Sequence, residues 1–383
     1  MPRGAYEVVI VGGGIAGAAT AWFLTRAGIR DILILERESQ LAVHSTGRSA
    51  ASISAYDENE TVLDLKIAGS RFWRDPPAGF SEEPPLLPVG VLSLFEAADF
   101  ERNQRRAPEL RARGLEFEFL TPEQCRATVP ALTFETLAGG IHVPHDGRLD
   151  VHGILQSYLR HARAAGAELV MGADVRGILR DADRVVGVEL AQGEVRARTV
   201  VNAAGAWAAT LGAMAEALPI ALQPMRRSLF TFPGPADTAF EQWPMVWSDP
   251  HDVYFVPEAG EMMLSPMDQV PMEPCDPSPD DETIAAAIER LAALAPSLVP
   301  RALRSRWAGL RTFAPDGAPV VGHDPQRPGF FWVAGMGGAG IETSPAYGSV
   351  AADLLLDRTP QFPSAERLRP ERFLPLAAES ISG

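Results

Sequence analysis

A glycine-rich turn between a predicted buried strand and a predicted helix constrains this chain more than any other segment. Val8 to Val11 is an unbroken run of apolar β-branched residues, typical of a strand buried on both faces. It leads into GGGIAG, where Gly12, Gly14 and Gly17 fit the pattern G-x-G-x-x-G, and residues 18–27 then indicate a helix. Gly12 permits the tight turn, Gly14 lets backbone approach a pyrophosphate, and Gly17 lets the helix pack closely on the strand. The helix N-terminus offers N–H groups and a positive dipole end to the phosphates.

A second predicted strand, Ile32 to Leu35, ends at Glu36, where a carboxylate accepts hydrogen bonds from ribose hydroxyls. Glu36 follows Gly12 by 24 residues. The order of strand, turn, helix, strand and acidic residue predicts a dinucleotide site. The alternative is a glycine-rich turn that packs a helix and binds no ligand.

Length and charge narrow the class of protein. With 383 residues the chain exceeds what one hydrophobic core usually supports, so two domains are expected. A net charge of −15 argues against nucleic acid and anionic membranes as partners, and no apolar run reaches the length of an integral membrane segment. The first strand begins within about seven residues of the first methionine, which leaves no room for a signal peptide. Cys125 and Cys275 lack metal-ligand spacing, so no metal site and a cytoplasmic location are expected.

Three further segments suit contact with a nucleotide. HSTGRSAA (44–51) places Arg48 among hydroxyl and glycine residues, which favours contact with phosphate or a flavin ring, the alternative being a solvated loop. VVNAAGAW (200–207) has small residues where backbone must lie close to the nucleotide. FFWVAGMGGAGIETSPAYG (330–348) is again a strand, a glycine-rich turn and a helix, and predicts a second helix N-terminus at 341–343.

The segments between these motifs indicate a different architecture. RRSLFTF (226–232), DVYFVPE (252–258) and EMMLSP (261–266) have the composition of antiparallel strands. The chain is therefore predicted to be an α/β protein of two domains. A Rossmann-like domain would contain residues 1–75, 145–217 and 308–383, and a second domain, built on a mixed and largely antiparallel sheet, would contain residues 76–144 and 218–307.

The chain resembles the D-amino-acid oxidase/glycine oxidase family of FAD-dependent oxidoreductases in five ordered blocks: VVIVGGGIAGAAT…ILILE, HSTGRSAA, VVNAAGAW, WAGLRTFAPDGAPVVG and GMGGAGIETSPA. Within that family HSTGRSAA, LQPMRRS and WAGLR are most similar to the D-arginine dehydrogenases. The resemblance implies FAD, bound non-covalently in the Rossmann-like domain. It also implies hydride transfer from an amino acid Cα to the flavin, which yields an imino acid that hydrolyses to a 2-oxo acid and ammonia.

The resemblance further implies which residues contact FAD. The first glycine-rich turn and Glu36 would hold the ADP half, Val175 would meet the adenine by backbone contacts, and the second glycine-rich turn would flank the flavin ring. The complete implied set is Gly12, Gly14, Ile15, Ala16, Gly17, Glu36, Arg37, Ser45, Thr46, Gly47, Arg48, Ser49, Ala50, Ala51, Val175, Ala204, Gly205, Trp207, Arg311, Gly337, Gly338, Ala339, Gly340, Ile341, Glu342 and Thr343.

Substrate contacts are carried over in the same way. Arg311 would pair bidentately with the substrate carboxylate, for which a guanidinium is suited. Arg227 and Tyr254 would assist, although one arginine of the Arg226–Arg227 pair should face solvent and Tyr254 could be a core residue. Tyr56 and Glu342 complete the implied site, and Glu342 either receives a substrate cation or interacts with a helix dipole.

The expected substrates are neutral D-amino acids, because PVGV (88–91) lacks the carboxylate that grips a basic side chain in the D-arginine dehydrogenases. Glycine or secondary amines of the sarcosine and proline type are the alternative substrates. A flavin-binding subunit without activity and a nicotinamide-linked reductase are the alternative protein classes. The electron acceptor would be a quinone or O₂. A dehydrogenase is favoured because Lys66, the single lysine, is predicted on a helix far in sequence from the flavin motifs.

Overall fold

The computed structural model describes residues 2–236 and 239–375. Its helices are α1 (Ile15–Arg26), α2 (Glu60–Arg74), α3 (Ala97–Arg113), α4 (Pro122–Thr128), α5 (Val151–Ala164), α6 (Ala208–Met214), α7 (Asp281–Leu294) and α8 (Ser344–Leu355). Its strands are β1 (Ala5–Val11), β2 (Ile32–Leu35), β3 (Ser52–Ile53), β4 (Leu86–Leu87), β5 (Val91–Phe95), β6 (Glu118–Leu120), β7 (Gly139–Val143), β8 (Gly147–Leu149), β9 (Glu168–Val170), β10 (Val175–Asp181), β11 (Arg184–Leu190), β12 (Gly193–Asn202), β13 (Gln223–Pro233), β14 (Met245–Ser248), β15 (Val253–Glu258), β16 (Glu261–Ser265), β17 (Val270–Pro271), β18 (Ser305–Phe313), β19 (Val320–His323) and β20 (Phe330–Ala334). No helix in these ranges is both long and apolar enough to cross a membrane.

The first sheet has the Rossmann-like arrangement that the sequence predicts. Its strand order is β10-β11-β12-β1-β2-β9, with β20 joined to β12 and β19 joined to β20. Its centre is parallel, since Val9 of β1 lies opposite Val200 of β12 and Leu33 of β2. Helices α1, α5 and α8 pack together against this sheet. The carboxyl ends of parallel strands meet at one edge, so the turn after β1 lies beside the ends of β2 and β12.

The second sheet is mixed and largely antiparallel. Its order is β17-β13-β16-β15-β14-β5-β7-β6, and only the β14–β5 pair among the pairs formed by the described residues of this sheet is parallel. The core of this unit is an apolar cluster that includes Phe230, Phe255 and Leu291 of α7. A small third sheet, β3-β8-β4, lies where the chain passes between the two units. The predicted fold class is confirmed.

Strand β18 corrects one expectation about where the chain returns to the first unit. The sequence places residues from 308 onward in the Rossmann-like domain, but β18 pairs with β13 from Gln223–Phe313 to Thr231–Ser305. The WAGLR block therefore belongs to the second sheet, and the chain rejoins the first sheet at β19. The remainder of the predicted domain division stays a prediction.

The helix starts differ in a way that bears on the site. Asn59, Thr121, Asp150 and Asp280 accept backbone N–H bonds at the starts of α2, α4, α5 and α7. At Thr121 the Gln124 side chain completes a capping box. By contrast, the N-cap residues of α1, α3, α6 and α8 make no side-chain capping bond among the described residues, although Ile15 N of α1 donates to Thr46 Oγ1 at 3.1 Å. Of these four helix starts, those of α1 and α8 follow the glycine-rich turns.

Candidate cofactor and substrate site

A continuous cavity of about 1040 Å³ is lined by residues of both large sheets. One part of its wall is the edge of the first sheet, formed by the turn after β1, Glu36 and residues 203–207. The other part is β13, β15 and β18 of the second sheet, and the second glycine-rich turn lines the wall as well. The volume is at the upper end of the range for small-molecule sites, as an extended cofactor together with a substrate requires.

The turn after β1 is fixed by contacts that only glycine allows. Gly12 has φ +115°, and a Cβ there would lie 2.3 Å from the carbonyl oxygen of Ala203. A Cβ at Gly17 would lie 2.0 Å from the carbonyl oxygen of Gly12. Gly17 thus packs α1 against the turn, as the sequence predicts, and lies behind the cavity wall. The Glu36 carboxylate is held at the same edge, because it accepts from Gly13 N at 2.9 Å and Glu38 N at 2.9 Å.

An aromatic residue and a guanidinium lie together beyond Glu36. The Arg37 guanidinium carbon is 4.0 Å from the centroid of the Trp207 ring. The His44 ring packs against the same ring at a tilt of 58°, with centroids 4.8 Å apart, and His44 Nε2 lies 2.8 Å from Glu38 Oε1. Val175, at the start of β10, also lines this region. The flat surface, on which Arg37 also pairs with Glu38, suits a nucleotide base.

The structure brings most of the implied cofactor residues into one wall, and it leaves four of them outside. Gly17, Gly47, Ala51 and Thr343 lie behind the lining residues. The members in the wall are Gly12, Gly14, Ile15, Ala16, Glu36, Arg37, Ser45, Thr46, Arg48, Ser49, Ala50, Val175, Ala204, Gly205, Trp207, Arg311, Gly337, Gly338, Ala339, Gly340, Ile341 and Glu342.

Arg48 reaches the cavity wall, but its guanidinium is occupied elsewhere. It donates to the carbonyl oxygens of Val43 at 2.9 Å and Ala308 at 3.0 Å, and it pairs with Asp276. Its position therefore joins the 44–51 segment to β18 and to the loop before α7. These contacts differ from the phosphate or flavin contact that the sequence motif suggests.

Two arginines of the second sheet face the cavity, and neither forms an ion pair with an acidic side chain of the described residues. Arg311 lies opposite Met225, and Arg227 follows Met225 by two residues, so the two arginine side chains share one face of the sheet. Arg311 donates through Nη2 to Gly337 O at 3.0 Å, and its buried Nη1 has no hydrogen-bond partner among the described residues. Burial, followed by the Arg227 charge, lowers the pKa of Arg311 to about 9. The site is therefore poised for an anion.

Arg226, unlike its neighbour Arg227, forms ion pairs with acidic side chains. Its Nε lies 3.0 Å from Asp268 Oδ2, and it also pairs with Asp280 at the start of α7. The side chain is 12% exposed. The prediction that one of these two arginines faces solvent is wrong, because the opposite face of β13 is covered by α7.

Tyr254 and Tyr56 line the cavity but differ in what their rings contact. Tyr254 is buried beside Arg227 and stacks on Trp247, its cross-strand neighbour, at 5.0 Å and 9°. The Tyr56 hydroxyl donates to Asn103 Oδ1 at 2.7 Å. Burial raises the pKa of Tyr56 to about 12, so this phenol keeps its proton at neutral pH.

Lys66 lies far in sequence from the flavin motifs, but the structure places it in the cavity wall. Its Nζ lies 3.0 Å from Asp57 Oδ2 and 3.4 Å from Glu342 Oε1, and its side chain is 13% exposed. Glu342 also accepts from Ser54 N at 2.9 Å. Glu342 does not cap α8. Helix periodicity could have marked Lys66, because Lys66, Gly69, Ser70 and Trp73 recur on one helical face.

Comparison with known proteins agrees with this geometry. The family model described as FAD dependent oxidoreductase, DAO, matches residues 7–354. The chain belongs to this family. FAD is the cofactor of the family, and the cavity fits it, because the start of α1, whose N-cap residue Gly14 has no side chain, and the glycine turn at Gly12 can receive a pyrophosphate beside the fixed Glu36 carboxylate.

Individual relatives are similar at modest identity. Glycine oxidase of Geobacillus kaustophilus is 28% identical over 367 residues, covering 91% of this chain and 93% of that protein. Human mitochondrial sarcosine dehydrogenase is 27% identical over 374 residues, covering 93% of this chain. The chain spans only 40% of the length of that dehydrogenase. The crystal structure of L-proline dehydrogenase from P. horikoshii shares the fold, with a TM-score of 0.86 at 24% identity over 97% of this chain and 98% of that chain.

Proposed function

We propose that this protein is an FAD-dependent oxidoreductase of small α-amino carboxylates, with glycine, sarcosine and proline as the leading substrate class. The observation that carries the proposal is the pair of arginines, Arg311 and Arg227, which lie together in the cavity without an acidic partner among the described residues. A buried, uncompensated guanidinium is costly, and a substrate carboxylate offsets that cost. The similarity to glycine oxidase and sarcosine dehydrogenase supports the same class.

In this proposal the chain's own residues mainly position the substrate. Arg311 binds the carboxylate bidentately, Arg227 adds a second cation, and the Tyr254 ring, fixed by its stack on Trp247, closes one side. Bound FAD supplies the acceptor for a hydride equivalent from the substrate. The oxidised imine is then hydrolysed by water.

A substrate panel tests the proposal directly. Purified holoenzyme is mixed anaerobically with glycine, sarcosine, L-proline, D-leucine, D-methionine and D-arginine, and bleaching of the visible flavin absorption is followed. We expect the first three to bleach the flavin fastest. Reoxidation of the reduced flavin is then followed with a quinone or dye acceptor and, separately, in air-saturated buffer. Fast reoxidation by O₂ indicates an oxidase, and reoxidation by the quinone or dye alone indicates a dehydrogenase.

Neutral D-amino acids are the second candidate class, because Leu229, Met245 and Met267 give the cavity an apolar wall that could hold a side chain. Such pockets discriminate by about 1–3 kcal/mol per methylene. Fastest bleaching by D-leucine or D-methionine would select this candidate. A flavin that none of the six compounds bleaches would instead indicate a non-catalytic flavin-binding subunit.

Arg311 is the proposed anchor of the substrate carboxylate, and a substitution tests this role. Loss of a buried charge-assisted pair costs about 3–5 kcal/mol, so Arg311→Met should lower kcat/KM by roughly a hundredfold or more while the flavin spectrum stays nearly normal. Arg306, on the same strand, is half-exposed and pairs with Asp281, so Arg306→Met is the matched control and should retain activity. Kinetics of Arg311→Met close to those of the unmodified protein would remove Arg311 from the substrate site.

A further inference from the structure

Glu342 occupies a place in the cavity that the arginine anchor does not explain. It follows the second glycine-rich turn, whose first residue, Gly337, accepts the hydrogen bond from Arg311. The Arg311 guanidinium and the Glu342 carboxylate therefore lie at the two ends of the short wall segment 337–342. The Glu342 residue is 7% exposed, so its carboxylate is shielded from bulk water.

Four ionisable groups from separate elements face Glu342. Lys66 of α2 and Asp57, which precedes α2, form the contacts already described. Asp146, between β7 and β8, adds a negative charge nearby, and Arg311 of β18 adds a positive one. Burial raises the pKa of Glu342 to about 7, and the Lys66 ammonium opposes that rise. Glu342 can therefore hold or release a proton near neutral pH.

The proposed reaction needs such a group. A free amino acid carries an ammonium at neutral pH, and hydride leaves Cα readily only when the nitrogen lone pair is available. The proton must therefore move before oxidation. Arg311 and Arg227 are cations that have no acceptor, and Tyr56 keeps its proton and donates it to Asn103.

We propose that Glu342 is the proton acceptor for the substrate ammonium, with the Lys66 ammonium stabilising the ionised Glu342 carboxylate before the transfer. The proposal rests on the proposed function. In the step, the substrate N–H bond breaks, its electron pair stays on nitrogen, and a new O–H bond forms at a Glu342 carboxylate oxygen. No group is oxidised or reduced.

The contacts of Lys66 support this role. Burial opposes the effect of its two carboxylate neighbours, Glu342 and Asp57, but together they raise the pKa of Lys66 above its ordinary value. Lys66 therefore keeps its ammonium charge 3.4 Å from Glu342 Oε1 and favours the ionised carboxylate that the step requires. The Asp57 side chain is 25% exposed, against 9% for the Glu342 side chain, so the Asp57 side of Lys66 lies nearer to water.

The pH profile of kcat/KM for glycine or sarcosine tests this role. The unmodified enzyme should lose activity below about pH 7 as Glu342 becomes protonated, and should change little from there to the substrate's ammonium pKa. The Glu342→Gln variant can oxidise only substrate molecules whose amine is already neutral in solution. Its kcat/KM should fall by about tenfold for each unit of pH below the substrate's ammonium pKa, and should approach that of the unmodified enzyme in alkaline solution.

Two further variants distinguish proton transfer from a structural effect. Glu342→Asp keeps a carboxylate and should keep the plateau between neutral and alkaline pH. Asp146→Asn is the matched control, because Asp146 is also buried and bonded to Ala55 N and Ser70 Oγ, but it lies outside the cavity wall. Its profile should keep the plateau between neutral and alkaline pH, with the acidic limb moved to lower pH because a negative charge near Glu342 is lost.

Binding of a carboxylate without an amine distinguishes the proton-transfer role of Glu342 from the carboxylate-binding role of Arg311. Propionate, a carboxylate without an amine, is titrated while the flavin absorption is followed. Its Kd should be unchanged by Glu342→Gln and raised by Arg311→Met. If Glu342→Gln shows the same pH profile as the unmodified enzyme, or if Glu342→Asp loses the plateau, the proposal is overturned while the proposed function stands. If no amino carboxylate bleaches the flavin, the proposed function itself fails.

Discussion

Two arginines on opposite faces of the β13–β18 pair show how burial and ion pairing decide the role of a residue. Arg226 and Arg311 are both largely enclosed by protein, yet Arg226 has two carboxylate partners and Arg311 has none among the described residues. The first is a structural ion pair. The second destabilises the empty site and becomes favourable only when an anion arrives.

This difference predicts opposite effects on stability. Arg311→Met removes an uncompensated charge and should raise the free energy of unfolding of the holoenzyme by about 1 kcal/mol, even though activity is lost. Arg226→Met leaves Asp268 buried and unpaired, and should lower that free energy by about 3–5 kcal/mol. Chemical denaturation of both variants, without any carboxylate in the buffer, measures the two changes. Equal losses in both would mean that Arg311 has a hidden partner.

At the residue level, the sequence predicted groups carried by motifs and missed groups placed by packing. Arg311 was found because WAGLR is a recognisable block. Helix periodicity marks the face of α2 that carries Lys66 but not its partner, because Glu342 is 276 residues away in sequence and only the packing of α2 against α8 brings the two together. The contacts of Arg48 were missed for the same reason, since they involve loops that the motif does not include.

Among the elements, the turn between β20 and α8 sets the position of the anchor. Gly338 has φ +95°, and a Cβ at this position would lie 1.9 Å from Arg311 Nε. Gly337 N also donates to Thr312 O at 2.8 Å, which ties the turn to β18. The turn therefore fixes the Arg311 side chain from behind.

Replacing this glycine should disturb the anchor without removing it. Gly338→Ala forces Arg311 to move, and a displacement of about 1 Å can cost roughly a hundredfold in kcat/KM. Gly260, in the β15–β16 turn, also has positive φ, but open space surrounds the position of its missing Cβ. Gly260→Ala carries the same backbone strain of about 1–2 kcal/mol and should leave kcat/KM intact. Equal kinetic losses in both variants would contradict this view of the turn.

The elements themselves were largely predictable. Strands β1, β2 and β12 are short apolar runs beside glycine-rich turns, so local pattern is sufficient to define them. The sheet to which β18 belongs was not predictable in this way. Its sequence is compatible with either sheet, and its pairing with β13 is a long-range choice that local pattern does not encode.

Over the whole molecule, the cavity wall is built from segments of both sheets, and the cysteines lie away from it. Cys125 is buried in the core of the second sheet, and Cys275 lies in the loop before α7. Gly309 occupies the stretch of β18 where a thiol could reach the cavity. His44 does line the wall, but its Nε2 is bonded to Glu38 and its ring packs at a tilt against Trp207.

We therefore expect FAD to be bound non-covalently. Acid precipitation of the purified yellow protein should release the flavin into the supernatant, where its absorption and fluorescence are measured. Flavin that stays with the precipitate would contradict the prediction. Repeating the precipitation with His44→Ala would then show whether His44 is the linkage.

The position of Lys66 has a practical consequence for anyone who handles this protein. It is the only lysine in 383 residues, and its amine lies inside the cavity in contact with two carboxylates. Amine-directed dyes, cross-linkers and resins therefore find no lysine on the outer surface. A small acylating reagent that does modify Lys66 must have entered the cavity, so the extent of labelling, read by mass spectrometry, reports how open the cavity is.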